Sequence, residues 1–144
     1  MERLFKGGIK LNECEVCGRP NAEYHHVVFR SQGGLTFKYN RKYLCTEHHK
    51  GNNGPHRNRK VDLQYKIEMQ DKLNKALTKE YYTPEELIKI LQLNRNQVKR
   101  MTKTLIITKE GYYKWDIIRK LMGGRLYDTD NSGEANGETT STSA

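Results

Sequence analysis

All three cysteines and all five histidines of this 144-residue chain fall between Cys14 and His56. Outside that stretch the only soft ligand is methionine. Two pairs share one spacing: Cys14 and Cys17 stand two residues apart, and so do Cys45 and His48. Each pair can hold one edge of a metal ion from a tight turn, and Gly18 permits the backbone angles that such a knuckle needs. Brought together, the pairs make a closed site of three thiolates and one imidazole, which suits structural zinc. The odd cysteine count rules out a full disulfide framework and favours reduced thiolates on a metal. Apolar residues make up only 35% of the chain and charged residues 30%, so the core supply is thin. A metal that contributes on the order of 10 kcal/mol would stabilise such a domain where apolar burial falls short.

Charge bears on the partner. The chain carries a net +9, and its segment from Asp128 to Ala144 holds four acids and no Lys or Arg, so the body is more basic than the whole. That balance points to a polyanion. No segment offers the bulky apolar face a membrane surface would need, and none reaches the length of a transmembrane helix. Nucleic acid, with double-stranded DNA foremost, is the expected partner, and neither a membrane nor a small-molecule substrate is. The opening MERLFKGG lacks an apolar signal core, so a cytoplasmic protein is expected.

The patterning predicts an α+β chain. Residues 1–12 form a basic lead-in whose Leu4, Phe5, Ile9 and Leu11 can pack on the metal domain. Ala22–Arg30 has strand character, Ser31–Gly34 supplies a turn, and a second extended piece ends at Lys42-Tyr43-Leu44. Cys45 opens a helix that Asn52, Asn53, Gly54 and Pro55 end or distort. From Val61 to about Lys79 the pattern is helical, with Val61, Tyr65, Met69, Leu73 and Leu77 every fourth residue and Leu63 and Ile67 beside them. Thr83-Pro84-Glu85-Glu86 reads as a capping box that starts a helix. Asn94 can cap a second helix from Arg95 to about Lys103. Leu105–Ile107 then reads as a strand, Lys109-Glu110-Gly111 as a turn and Tyr112–Trp115 as the return, with Asp116 capping a last helix through Leu121. Two short helices and a hairpin match a winged or excisionase-like helix-turn-helix. The expected organisation is a metal-stapled domain over 1–60, a linking helix over 61–80, the helix-turn-helix unit over 81–127 and a disordered acidic tail over 128–144.

The closed zinc site leaves His25, His26, His49 and His56 unassigned. His25 and His26 are adjacent on a strand, so they face opposite sides or splay at a bulge. His49 follows the last zinc ligand on the helix and points away from it. The order of Cys-x-x-Cys, His25-His26, Gly33-Gly34, Asn40, Leu44-Cys45 and His48-His49 resembles the HNH endonucleases, whose fold is a ββα-metal finger. The match covers Cys14 to about His56, roughly a third of the chain. Carried over by position, the resemblance implies that His25 ligates a catalytic divalent metal, such as Mg²⁺, Mn²⁺, Ni²⁺ or Zn²⁺. It implies that His26 is the general base, that Asn40 fixes the loop and orients the base, and that His49 is the ligand borne by the helix. It departs from the family where His48 replaces the usual fourth cysteine. The second helix ligand falls on Asn53, with His56 able to join or replace it.

The resemblance further implies hydrolysis of a phosphodiester to 5′-phosphate and 3′-hydroxyl ends. A neutral imidazole can take a proton from water near neutral pH, and one open divalent ion can relieve charge on the phosphate. Lys38, Arg41, Lys42, Lys50, Arg57, Arg59 and Lys60 flank the histidines in sequence and can neutralise neighbouring phosphates. In the second unit Arg95, Asn96, Gln97, Lys99, Arg100 and Lys103 form the outward face of the second helix, with Asn96, Gln97 and Arg100 as candidate base readers. The expectation is a DNA endonuclease placed by a helix-turn-helix, a pairing that would suit a phage or mobile-element protein. The alternatives are a non-catalytic, zinc-stabilised DNA-binding regulator and an RNA-processing nuclease.

Overall fold

The computed structural model describes residues 12–128. The lead-in apolar residues Leu4, Phe5, Ile9 and Leu11 and nearly all of the acidic tail lie outside the described residues. The chain is a small α/β mixture with two small sheets. It divides into two units: residues up to His25 with Lys42–Asp62, and His26–Arg41 with the residues from Leu63 onward.

In the first unit the knuckle is a tight reversal. Gly18 N–H donates to Cys14 O (2.8 Å) and Cys14 N–H to Arg19 O (2.8 Å). Glu15 docks it on the strand at Tyr43: its N–H donates to Tyr43 O (2.9 Å), and its carboxylate accepts from Tyr43 N–H (2.8 Å). Strand β1 (Glu23–His26) pairs with β2 (Arg41–Leu44), and α1 (Thr46–Lys50) follows. Helix α1 has only five residues, with Cys45 as its N-cap. Gly54 then brings the chain against the end of α1. A Cβ there would stand 2.5 Å from His49 O and 2.7 Å from His48 O, so only glycine allows the approach.

The buried apolar cluster belongs entirely to the second unit. Helix α2 (Arg59–Ala76) buries Leu63, Ile67, Met69 and Leu73 together with Lys66 and Gln70. Val61 and Tyr65, expected in the same stripe, are only half buried. The buried face is shifted toward two polar residues because each has a partner. The Lys66 ammonium stands 4.8 Å from the centre of the Phe29 ring. Gln70 clamps Tyr127 from both sides, donating to its carbonyl (2.8 Å) and accepting from its N–H (2.7 Å).

Three short strands, β3 (Tyr81–Tyr82), β4 (Ile107–Thr108) and β5 (Gly111–Tyr113), form a sheet in the order β3-β5-β4, antiparallel throughout. Helices α3 (Pro84–Leu91), α4 (Arg95–Thr102) and α5 (Lys114–Leu121) bury Leu87, Leu91, Val98, Met101, Ile117 and Ile118. Both expected capping boxes form: Thr83 with Glu86, and Asn94 with Gln97. Asp116 does not cap α5. The helix starts at Lys114, whose N–H is already taken by Glu80 O (2.8 Å), and Asp116 lies in its first turn. There its charge still favours the helix dipole. The strand expected over Leu105–Ile107 is displaced to Ile107–Thr108, because Leu105 packs on the core.

Asn40 organises the segment that joins the strands. It is fully buried. Its Oδ1 accepts from Val28 N–H (2.6 Å), and its Nδ2 donates to Val28 O (3.0 Å) and Leu35 O (2.9 Å). Gly34 leaves the room for this, since a Cβ would meet Val28 O at 1.8 Å. Each buried polar group left without its bond costs about 1–3 kcal/mol. Asn40→Ala is therefore expected to lower the unfolding free energy by about 3 kcal/mol or more. Urea titration measures this, and a loss under about 1 kcal/mol would contradict the assigned role.

Candidate metal centres

The two knuckles converge. Cys14, Cys17, Cys45 and His48 offer ligand atoms that all lie within 4.8 Å of one another. Cys17 Sγ and Cys45 Sγ are 3.7 Å apart, Cys14 Sγ and His48 Nδ1 3.7 Å, and Cys45 Sγ and His48 Nδ1 3.3 Å. A tetrahedral ion with bonds of ~2.3 Å to sulfur and ~2.1 Å to nitrogen sets two sulfurs about 3.8 Å apart, and sulfur and nitrogen about 3.6 Å. Two of these three separations match those edges within about 0.1 Å and the third is about 0.3 Å shorter, and the donor set fits a metal such as zinc.

Its electrostatics agree. Burial works against ionising Cys14, but backbone N–H groups of Cys45, Cys17 and Val16 outweigh it and bring the thiol down to about 6. The His48 backbone N–H, 3.5 Å from Cys45 Sγ, lowers the Cys45 pKa as well. Cys17 moves the other way. The backbone N–H of Arg19 favours its thiolate, but burial and the neighbouring sulfurs of Cys14 and Cys45 together raise its pKa. Hydrogen bonding to Cys45 and Cys14 raises that of His48. A dication among the sulfurs would offset both the burial and the neighbouring sulfurs and favour the Cys17 thiolate.

A second group stands on the other side of α1. His25, His49 and His56 bring ring nitrogens within 4.8 Å of one another. His25 and His49 are buried, while His56 reaches the surface. The three rings pack edge to face or tilted, with centroids 4.8 to 5.1 Å apart. His49 Nε2 and His56 Nε2 face each other at 3.1 Å. Two imidazole nitrogens on one ion at ~2.1 Å are separated by about 2.9 to 3.4 Å, from octahedral to tetrahedral geometry. Partial burial of its ring, with the charge at His49 next, pushes the His56 pKa below the ordinary histidine value and keeps its lone pair available.

Glu23, which no sequence motif singles out, backs this group. Its Oε1 lies 2.6 Å from His49 Nδ1, and its Oε2 accepts from Thr46 Oγ1 (3.2 Å). The hydrogen bond with His49 holds its carboxyl below the usual range. A carboxylate on Nδ1 fixes the tautomer that leaves Nε2 free to ligate. A legible signal existed: Glu23 stands two residues before His25, and residues two apart on a strand share a face.

The other expected site residues fall as follows. His26, half buried, has its Nε2 2.8 Å from Thr36 Oγ1, and burial together with the charge of Arg30 lowers its pKa. Asn53 is exposed in the turn after α1. Lys42 approaches Glu15 (3.7 Å), whereas Lys38, Arg41, Lys50, Arg57, Arg59 and Lys60 are exposed. On α4, Arg95, Asn96, Lys99, Arg100 and the adjoining Lys103 are exposed. Gln97 is used internally: Oε1 accepts from Asn94 N–H (2.9 Å) and Nε2 donates to Thr36 O (2.9 Å). Among the described residues no helix is long and apolar enough to cross a membrane. Compared with known proteins, the chain matches no protein-family model, no curated protein and no solved structure.

The purified chain is expected to hold one tightly bound zinc, and Cys45→Ser is expected to lose it. Elemental analysis that finds none in the wild type would remove the quartet as a metal site. Glu23→Gln is expected to keep that zinc while weakening binding of a second ion at the histidines by about 10–100-fold. Calorimetric titration of the zinc-loaded protein with Ni²⁺ measures this, and an unchanged second affinity would deny Glu23 its role.

Proposed function

We propose that the chain is a metal-dependent DNA endonuclease of the HNH type. The observation that carries the reading is the convergence of His25, His49 and His56 beside a quartet of different chemistry. A structural zinc needs only Cys14, Cys17, Cys45 and His48, so a non-catalytic regulator has no use for three further imidazoles backed by a carboxylate on His49. The order β1, β2, α1 also accords with a ββα-metal finger.

In this reading His25, His49 and His56 hold a divalent cation, which supplies Lewis acidity toward the scissile phosphate when bound. Glu23 keeps His49 in its ligating tautomer. His26, next to His25 in the chain and shifted toward the neutral form, accepts the proton of the attacking water. Asn40 acts through the backbone that follows β1. Exposed Lys50, Arg57, Arg59 and Lys60 neutralise flanking phosphates. Helix α4 places the enzyme on duplex DNA through Arg95, Lys99, Arg100 and Lys103. Base contact falls to Asn96 and Arg100, since Gln97 is committed to the cap and to Thr36.

The test is conversion of supercoiled plasmid by the full chain with Mg²⁺, Mn²⁺, Ni²⁺ or Zn²⁺. Wild type is expected to cut, and His26→Ala to slow cutting by about 10²–10⁴-fold while zinc content and DNA binding persist. No cleavage with any of the four metals would sink the enzyme reading and leave the zinc-stabilised regulator. Cleavage of RNA in preference to DNA would reassign the substrate.

A further inference from the structure

Among the described residues, two of the three large apolar side chains left in water are adjacent: Ile106 is 75% exposed and Ile107 63%. They stand where the chain enters β4, which is the edge strand of the β3-β5-β4 sheet. Successive residues of an extended chain face opposite sides. With both exposed, neither side of the strand's leading edge is covered. The hairpin thus carries two adjacent exposed isoleucines at the start of its edge strand, followed by an exposed turn at Lys109 and Glu110.

Its surroundings select a partner. Leu105 anchors the base of the hairpin on the core. Lys103 and Lys109 flank the isoleucines, and α4, which leads directly into the hairpin, exposes Arg95, Lys99 and Arg100. The one acid there, Glu110, is turned back on the hairpin, accepting from Thr108 Oγ1 (3.3 Å). An apolar protein partner would have to bury those cations, and a second copy would bring like charge against like. A polyanion with apolar surface between its charges fits both features. Duplex DNA is such a partner: phosphates line the groove, and base steps can open to an apolar wedge.

We propose that Ile106 and Ile107 form a wedge that enters the minor groove of duplex DNA and partly unstacks one base step while the cations of α4 and Lys103 hold the phosphates. This rests on the reading of the chain as a DNA-binding protein and adds to it a deformation of the duplex. Pyrimidine–purine steps, the easiest to unstack, are the preferred entry points. The consequence is specificity from deformability at a position where no base edge is read.

The experiment uses the full chain carrying His26→Ala, so that the substrate survives. The probe is an alternating thymine–adenine duplex with 2-aminopurine replacing adenine in one strand and a dye pair at its ends. Binding is expected to raise 2-aminopurine fluorescence and shorten the end-to-end distance. The added Ile106→Ser and Ile107→Ser changes are expected to abolish both signals and weaken binding to this duplex by on the order of tenfold. Since both residues are exposed, the variant is expected to fold, and unchanged circular dichroism and zinc content check that. Binding without either signal overturns the wedge and leaves the DNA reading standing. No binding by the parent chain overturns both. If sedimentation shows that the serine changes turn an oligomer into a monomer, the hairpin is a contact between copies and the proposal is overturned.

Discussion

The closing of three sulfurs and one imidazole around a point is the constraint on which the first unit depends. None of the buried apolar cluster lies in that unit. Leu44 is its only fully buried large aliphatic side chain among the described residues. Its further order includes backbone bonds in the knuckle, the Glu15–Tyr43 pairing, the β1–β2 pairing and a helix of five residues, which is far too short to persist by itself. A structural zinc contributes on the order of 10 kcal/mol, enough to replace the missing core. The second unit draws on apolar burial instead. The two units therefore have different points of failure: one is sensitive to protonation or removal of ligands, the other to cavities and lost packing.

The same constraint positions the second cluster. Once Cys45 and His48 are fixed on a common centre, the orientation of α1 follows. His49 is then turned by about 100° around the helix from His48, away from the sulfurs and toward Glu23 and His25 on β1. The third imidazole needs a different device. Helix α1 has ended by Lys50, and Gly54 folds the chain back against the carbonyls of His48 and His49 so that His56 reaches the His49 ring. One histidine comes from a strand, one from a helix and one from an irregular turn, and each placement has its own cause.

What could be read beforehand divides along the range of the interaction. Capping boxes at Thr83 and Asn94 are four-residue patterns with local chemistry, and both form. The two Cys/His spacings were legible for the same reason. Other features depend on partners remote in sequence. Gln97 looked like a surface residue on α4, but Thr36 takes its amide from 61 positions away. Asp116 had the chemistry of a cap, but the β3-β5 ladder had already supplied Glu80 O to Lys114. Lys66 and Gln70 broke the apolar periodicity of α2, and nothing nearby announces Phe29 or Tyr127 as their partners. Glu23 is the exception among the remote partners, since strand periodicity alone places it on the face of His25.

The spacing of these side chains in sequence also limits what one candidate metal centre can do to the other. His48 and His49 are joined by one peptide bond and face different centres, so the backbone of α1 is shared between them. The Cys45 sulfur takes part in both jobs at that point: it is a ligand of the quartet and the N-cap of the helix, accepting from His48 N–H at 3.5 Å. Protonating that sulfur weakens the cap and the quartet together, and it loosens the element that carries His49. The histidine cluster thus depends on the thiolates although it shares no ligand with them. The reverse dependence is weaker. His25 is held by its strand, and Glu23 and Thr46 bridge β1 to the start of α1 without engaging any sulfur. Were ions held at both clusters, losing the one at the imidazoles would leave the constraint on the first unit in place, whereas losing the one at the thiolates would also loosen the helix that carries His49.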